Sequence, residues 1–580
     1  MLALGGILFL TGCRPLAKRS ERTMADWSRG EKVGETVLNA RPALLVDRTG
    51  AGVYLAWVSA PSVGEAESLY FVRLDGRGSP VVARELALET RHPTQVALLP
   101  LEGGLAISWL DRLQGHSQLS LASLSFDGEL LSAPRILSPP GQEVDSYALL
   151  PNPEGGGELL WSVREGQARG LYHLHLNGQG QPEGEVISLG REGFQPALAM
   201  GEDGVVHLAW LEEPEYSRYV LYYASFDPQR RTLGEVSRLV SFPVPTGVIV
   251  HSPSIGVAGG RVYLFWSLER RGGGLTPPSA QSFYLSFLEG QPQQARGARL
   301  VSIPAEKHPR YLPVESAFPL RELAAAGPVP ATFVYMPCTA KGRQGELPVA
   351  FVVDIRGRTK HILQVVLSLW SRGELKGYQI VGQTANGSLR PVLAVDDTGN
   401  LHLVWIDTAG FGTFDVYYAS TAPQVRARLN RITGQDVMAV FFGIVWGLVQ
   451  GLSFLPIVLV WVFVPLVIMS IYLFIRAEGG LSFRSSQIVL LVAILLYTGG
   501  KYLFRPNWFA ALPLPRDLPQ YLADWAIYTV PFLITGAAGL VTWFYVKRRP
   551  SATLLLAFAI FAGTDALLTL LIYVPGMLAE

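Results

Sequence analysis

The chain is 580 residues long, enough for more than one domain, and its 48 basic and 47 acidic residues nearly cancel, which removes the electrostatic argument for nucleic acid as a partner. Only 16% of residues are charged and 49% are hydrophobic, an apolar balance for a soluble protein. The two cysteines, Cys13 and Cys338, are too few for a disulfide-stapled domain or a cysteine-rich zinc site. The apolar residues are unevenly spread. Up to about residue 435 they alternate with polar ones amid many Gly and Pro, and beyond it come long apolar runs.

At the N-terminus, MLALGGILFLTGCRP holds an apolar stretch, residues 2–12, that is too short to cross a bilayer and suits the core of a signal peptide. Leu10-Thr11-Gly12-Cys13 resembles the lipobox of bacterial lipoproteins. The resemblance implies cleavage that leaves Cys13 as a lipid-modified N-terminus, and export of the chain beyond it. Segment 1–13 is read in this way, and 14–31, which carries Arg14, Lys18, Arg19 and Arg22, as a linker.

Strand-closing tryptophans then act as a ruler. Trp57 closes PALLVDRTGAGVYLAW, Trp109 PTQVALLPLEGGLAISW, Trp161 YALLPNPEGGGELLW, Trp210 PALAMGEDGVVHLAW and Trp266 PSIGVAGGRVYLFW, at spacings of 52, 52, 49 and 56 residues. Trp405 closes RPVLAVDDTGNLHLVW 139 residues later, leaving room for one enlarged unit. Its degenerate first hairpin is read in SAFPLRELAAAGPVPATFVY, ending at Tyr335. Each unit offers a first strand, an Asp- and Gly-rich turn, a second strand of period-two alternation, a third strand such as VLYYASFD, and a less regular fourth. A period near 50 residues with this pattern predicts an all-β propeller of four-stranded blades. First strands near Pro42, Gln95, Tyr147, Pro196, Pro253, Pro319 and Pro391 give about seven blades, six or eight being left open by the irregular stretch 300–385. The last unit ends after DVYYAST, and KVGETVLN (residues 32–39) reads as its missing fourth strand, closing the ring and removing its open edges. The propeller is bounded at 32–422 and followed by a linker at 423–436.

In the pattern PxLxxDxxGxxxLxW…YYAS, over roughly residues 30–422, the chain resembles exported sialidase-like propellers of the BNR type. The resemblance implies the propeller fold. For activity it implies three arginines gripping a substrate carboxylate, a Tyr/Glu nucleophile pair and an Asp acid. The Asp boxes of that family, S-x-D-x-G-x-x-W, are reduced here to turns at Asp75, Asp127, Asn177 and Asp227 that lack the closing tryptophan. RPVLAVDDTGNLHLVW is no Asp box either, because Gly399 and Trp405 stand too far apart and the turn joins first and second strands.

Arg41, Arg91 and Arg390 precede first strands, positions that lie near the central mouth of a propeller, as do Asp145, Gln195 and His251. Arg41, Arg91, Arg390 and His251 are the candidates for an anion-binding mouth. The alternative is that each arginine caps a loop or pairs with a neighbouring carboxylate. No nucleophile is assigned. His173 and His175, two apart on one strand face, suit a metal but have no evident third ligand, and His207 and His402 share one repeat slot, which points to packing. No metal site and no cofactor is assigned. Nucleophile-elbow and phosphate-loop motifs are absent.

The far part, 437–580, opens with the uncharged run 437–475, then continues in apolar stretches from 487 to about 504, from about 525 to 546 and from 551 to 578. The last three give one helix each. The first, with Gly451 and Pro456 near its middle, gives one span or two short helices, so four spans are expected and five are the alternative. Loops 476–485 and 547–550 carry five basic residues against Lys501, Arg505 and Arg516 opposite, which puts the first pair inside. Asp565 lies near the centre of the last run and should face other helices or a polar cavity; Lys501 and Asp524 read as interfacial.

The prediction is therefore an all-β propeller followed by an α-helical transmembrane domain in the plasma (inner) membrane, with the propeller on the extracytoplasmic side. The expected function is ligand or protein binding, or scaffolding, at the cell envelope, with membrane lipid and an envelope glycan or protein as partners. A sialidase-like glycoside hydrolase and an accessory subunit of a membrane complex are the alternatives.

Overall fold

The computed structural model describes Ser20 and residues 26–434 except 37–39, 48–49, 61–65, 114–115, 153–154, 273–276, 308, 357–360, 385 and 411, and then 436–438, 441–442, 445, 455–476, 479–503, 520–549 and 551–578. Cys13 and the signal-like segment lie outside the described residues. Two compact units result, Met1–Arg431 and Ile432–Glu580.

The first unit is a seven-bladed propeller. Its seven antiparallel sheets begin with the strands Ala43–Val46, Thr94–Leu101, Val144–Pro151, Phe194–Met200, Val248–Ala258, Val334–Thr339 and Ser388–Val395. In five of the seven blades the tryptophan of the second strand stands opposite an aromatic of the third, while Trp109 of blade two faces Ser120. Trp57 faces Tyr70, Trp161 Tyr172, Trp210 Tyr222, Trp266 Phe283 and Trp405 Tyr417, with ring centroids 5.0–5.9 Å apart. All five indoles are buried. Such cross-strand aromatic pairs add to the area they bury, so one sequence period reproduces one packing unit.

The ring closes as its patterning predicts. Glu31–Thr36 pairs antiparallel with Thr413–Ser420, giving the last blade the order closing strand, third, second, first. The closing strand runs over two indoles: a Cβ on Gly34 would meet Trp57 at 2.3 Å, and one on Gly30 would meet Trp405 at 2.6 Å. Residues 26–31, assigned to a linker by sequence, belong to this closure, since Trp27 is buried and its indole N–H donates to Gln379 Oε1 at 3.0 Å. The 423–436 stretch likewise opens with a helix, α1 (Pro423–Leu429), which buries Val425 and Leu429. From it Arg428 pairs with Glu31 and donates to the carbonyls of Arg77 and Gly78, tying blade seven to blade one.

Blade six departs from the expected parse. Its first strand is Val334–Thr339, not the segment near Pro319, so Tyr335 opens the blade instead of ending a hairpin. The segment assigned to that hairpin supplies Glu322–Ala324, which with Tyr311–Pro313 extends the blade at its outer edge to six strands. The ruler failed because this blade carries its buried tryptophan, Trp370, on the third strand, while its second strand has none.

Among its described residues the second unit contains four helices long and apolar enough to cross a membrane: α2 (Leu455–Arg476), α3 (Arg484–Leu503), α4 (Gln520–Arg548) and α5 (Leu554–Leu578). The loops after α2 and after α4 meet, with Leu481 N–H donating to Ala552 O at 3.1 Å and Leu554 N–H to Gly479 O at 2.8 Å. The basic residues Arg476 and Arg484 therefore share one end of the helices with Lys547, Arg548 and Arg549. Asp565 is fully buried, and so is Lys501, which the sequence reading placed at the interface. Lys501 lies 64 residues from Asp565 in the chain, and only the packing of α3 against α5 brings them together.

Candidate functional site at the axial mouth

Every blade from the second to the seventh starts with a break in register between first and second strands. At this bulge Gln95, Gln195, Met336 and Arg390 adopt φ of 50°, 51°, 55° and 54°, left-handed geometry that is uncommon outside glycine. Pro196, Pro337 and Pro391 come directly after three of them. A bulge re-aims a side chain, and here the side chains of Gln95 and Gln195, like that of Arg41 before blade one, reach to the neighbouring blade. Gln95 Nε2 donates to Asp145 O at 3.2 Å, Gln195 Nε2 to Val250 O at 3.5 Å, and Arg41 Nη2 to Pro391 O at 3.3 Å. Asp145 thus takes part through its backbone, and Gln195 through its amide, in bonds between neighbouring blades.

On one side of this mouth five polar residues converge: Arg41 from blade one, His251 and Glu269 from blade five, Tyr335 from blade six and Arg390 from blade seven. His251 Nε2 pairs with Glu269 Oε2 at 2.7 Å, and its ring meets Tyr335 edge-on with centroids 5.7 Å apart. Arg390 feels the charges of Arg41, Tyr335 and Glu269 together. Burial lowers its proton affinity, Arg41 lowers it further, and Tyr335 and Glu269 oppose the change. Burial holds the Tyr335 phenol well above the ordinary tyrosine range, and the Glu269 carboxylate pushes the same way, against the pull of Arg390. Burial lowers the proton affinity of His251, Glu269 opposes the change, and Arg390 adds to it.

Of the sequence candidates, Arg41, Arg390 and His251 are brought together and Arg91 is not. Arg91 is exposed in the loop before blade two, four residues ahead of the bulge slot, which Gln95 fills. Its backbone N–H donates to Asp111 Oδ1 at 3.0 Å. In blade four the same slot holds Arg191, which pairs with Glu212 at 2.7 Å. This is the loop-latching role that the sequence offered as the alternative.

Tyr335 and Glu269 escape sequence reasoning because the parse of blade six hides the first, and nothing local marks the second. The remaining turns are structural. Asp75 Oδ1 accepts from the backbone N–H of Arg77 and Ser79, and Asn177 Oδ1 from those of Gln179 and Gln181. Asp396 Oδ1 accepts from Asn400 N–H at 2.8 Å, shaping its hairpin. His173 and His175 both pair with the buried carboxylate of Glu158, each at 2.8 Å. Burial works to raise Glu158, but the hydrogen bonds from His173, Asn152 and His175 bring it below the ordinary carboxylate range. A cleft of about 900 Å³ opens away from the axial mouth, on the side of blades three and four, lined by Glu158, His175, Asp203 and Arg231 among others.

No protein-family model matches the chain, and no curated protein matches it in sequence. Solved structures with a similar chain course include a protein of unknown function from Dyadobacter fermentans (11% identity, 68% of this chain and 99% of that one, TM-score 0.38). The polysaccharide lyase Uly1 is similar at 10% identity over 69% of this chain and 99% of that one, with a TM-score of 0.41. The Trypanosoma rangeli sialidase is similar at 9% identity over 62% of this chain and 58% of that one, with a TM-score of 0.35.

Proposed function

We propose that the propeller is a binding module of the cell envelope whose axial mouth takes a carboxylate-bearing glycan. The observation that carries this reading is the approach of two like charges, Arg41 and Arg390, at one mouth. A carboxylate between them would relieve their repulsion and accept charge-assisted bonds from both, while Tyr335 offers an aromatic flank. The four apolar helices and the two basic loops that meet at one end support a membrane-held chain with those loops in the cytoplasm. A single crossing by α2 then leaves the propeller outside. Lipidation of Cys13 would add a second anchor.

The nearness of Tyr335 and Glu269 favours a second reading, a sialidase-like hydrolase with Tyr335 as nucleophile and Glu269 as its base. Three features weigh against it. Tyr335 holds its proton more tightly than an ordinary phenol, Glu269 is engaged by His251, and Arg91 sits in a loop-latching slot.

Titration calorimetry of the full chain in detergent with N-acetylneuraminate and with glucuronate-containing oligosaccharides tests both readings. Binding that falls about tenfold or more in Arg390→Ala and Arg41→Ala supports the mouth, given about 1.5–3 kcal/mol for a hydrogen bond to a charged group. Binding untouched by both variants sinks it. Turnover of a fluorogenic sialoside, abolished by Tyr335→Phe, would favour the hydrolase instead.

A further inference from the structure

His207 and His402 hold the same position in blades four and seven, at equal distance from Pro196 and Pro391. In each, Nδ1 meets the hydroxyl of a tyrosine sixteen residues on, Tyr223 or Tyr418, at 2.8 Å. The other ring nitrogen separates them. In blade seven it faces Asp396 Oδ2 at 3.4 Å. In blade four the place of Asp396 is taken by Gly201, and Nε2 of His207, a residue only 2% exposed, is buried without a hydrogen-bond partner.

Two other carboxylates stand at that nitrogen. Asp203 comes from the same turn, and Glu289 lies just past the third strand of blade five; its Oε1 is likewise buried without a partner. One ligand atom from each of Asp203, His207 and Glu289 lies within 4.8 Å of the others. A Cβ on Gly201 would come within 2.6 Å of Asp203 Oδ1 and 2.9 Å of His207 Nε2, so the glycine keeps this space open.

We propose that Asp203, His207 and Glu289 bind a divalent transition-metal ion, Zn²⁺ fitting best, across the boundary between blades four and five. An imidazole with two carboxylates is a donor set for such an ion, where Ca²⁺ or Mg²⁺ would call for oxygen alone. The ion satisfies both orphaned atoms at once. With Nδ1–H directed to Tyr223, the lone pair of Nε2 is left for the metal, the usual outer-shell arrangement. Asp203 is exposed and lines the 900 Å³ cleft, which gives the ion an approach. Three protein ligands leave a position for water or for a donor atom of a bound molecule.

The test uses the full chain in detergent, stripped with EDTA and titrated with Zn²⁺ by calorimetry, with thermal unfolding as a second readout. The expected result is a site of one ion per chain that raises Tm. Its affinity falls at least about tenfold in Glu289→Gln and in Asp203→Asn, as loss of a ligand requires. Gly201→Ala puts a methyl group between Asp203 Oδ1 and His207 Nε2 and should weaken Zn²⁺ binding. His402→Gln should leave the affinity unchanged. Absence of Zn²⁺ binding, or binding equal to wild type in both Asp203→Asn and Glu289→Gln, overturns the proposal.

Discussion

Lys501 donates to both carboxylate oxygens of Asp565, at 3.0 and 2.7 Å, and solvent reaches neither side chain. Tyr497 Oη and Thr535 Oγ1 donate to the same carboxylate at 2.9 and 2.8 Å, and Lys501 also donates to Thr569 Oγ1 at 2.8 Å. Three helices therefore converge on one buried charge pair. Removing one partner strands the other charge, which costs about 3–5 kcal/mol for a buried pair. Lys501→Met alone should lower the unfolding temperature of the purified chain sharply. The double variant Lys501→Met/Asp565→Asn, which keeps an acceptor for Tyr497 and Thr535, should recover most of the loss. A double variant as unstable as the single one would show that the pair is not the source of the effect.

A second carboxylate should govern how the propeller responds to pH. Asp407 is buried, and burial raises its pKa to about 7, with Asp415 adding to the rise and the hydroxyls of Thr384 and Ser388 opposing it. The folded chain then keeps a proton that the unfolded chain has lost above about pH 4. Stability from this group is complete below that value, falls as pH rises through 7, and is level above it. Asp407→Asn removes the dependence, so its Tm relative to wild type should be higher at pH 8 than at pH 5. An equal difference at both pH values contradicts the assignment.

Charge at the axial mouth should also depend on pH, in the opposite functional sense. Burial lowers the proton affinity of His251, with Glu269 opposing and Arg390 adding to the fall. Protonation adds a positive charge beside Arg390 and Arg41, so affinity for a carboxylate glycan should rise once the pH falls below the ordinary imidazole range. His251→Gln should flatten that rise. If the variant keeps the wild-type pH profile, the titrating group lies elsewhere.

The closing strand offers a packing test. A side chain at Gly34 would press into the indole of Trp57, and overpacking of this kind costs ~1–3 kcal/mol. Gly34→Leu should therefore loosen Glu31–Thr36 from Thr413–Ser420 before it affects other blades. Hydrogen exchange would register this as faster exchange confined to blade seven; uniform acceleration over all blades would refute it.

The blade count, the ring closure and two of the three mouth arginines are legible in the sequence because each is a property of the repeat. A tryptophan at a fixed place in the second strand, a proline after the bulge, and a strand pattern missing at one end and spare at the other all survive in linear order. Blade six is misread where the repeat itself changes, with Trp370 moved to the third strand. Tyr335 meets His251 and Glu269 only through the contact of blades five and six. Lys501 meets Asp565 only through helix packing, and the end of an apolar run gives no sign that its lysine turns inward. His207 shows both sides of the rule. Its repeat slot correctly announces a buried ring beside Tyr223, but the exchange of Asp396 for Gly201 leaves its second nitrogen facing a different neighbourhood.

Ser420 and Ser28, joined through backbone and side chain at the ring closure, are 392 residues apart. The strand that completes the last sheet is therefore made before any blade, and its partner only after every other blade has been made. A chain cut short anywhere in between leaves that strand with nothing to pair with and leaves the ring with an open sheet edge, a ready substrate for proteases and for self-association. Helix α1, directly after the partner strand, adds Arg428 to the seam last of all. Closure thus acts as a check on completeness: the fold is sealed only when synthesis has passed the final blade and helix α1.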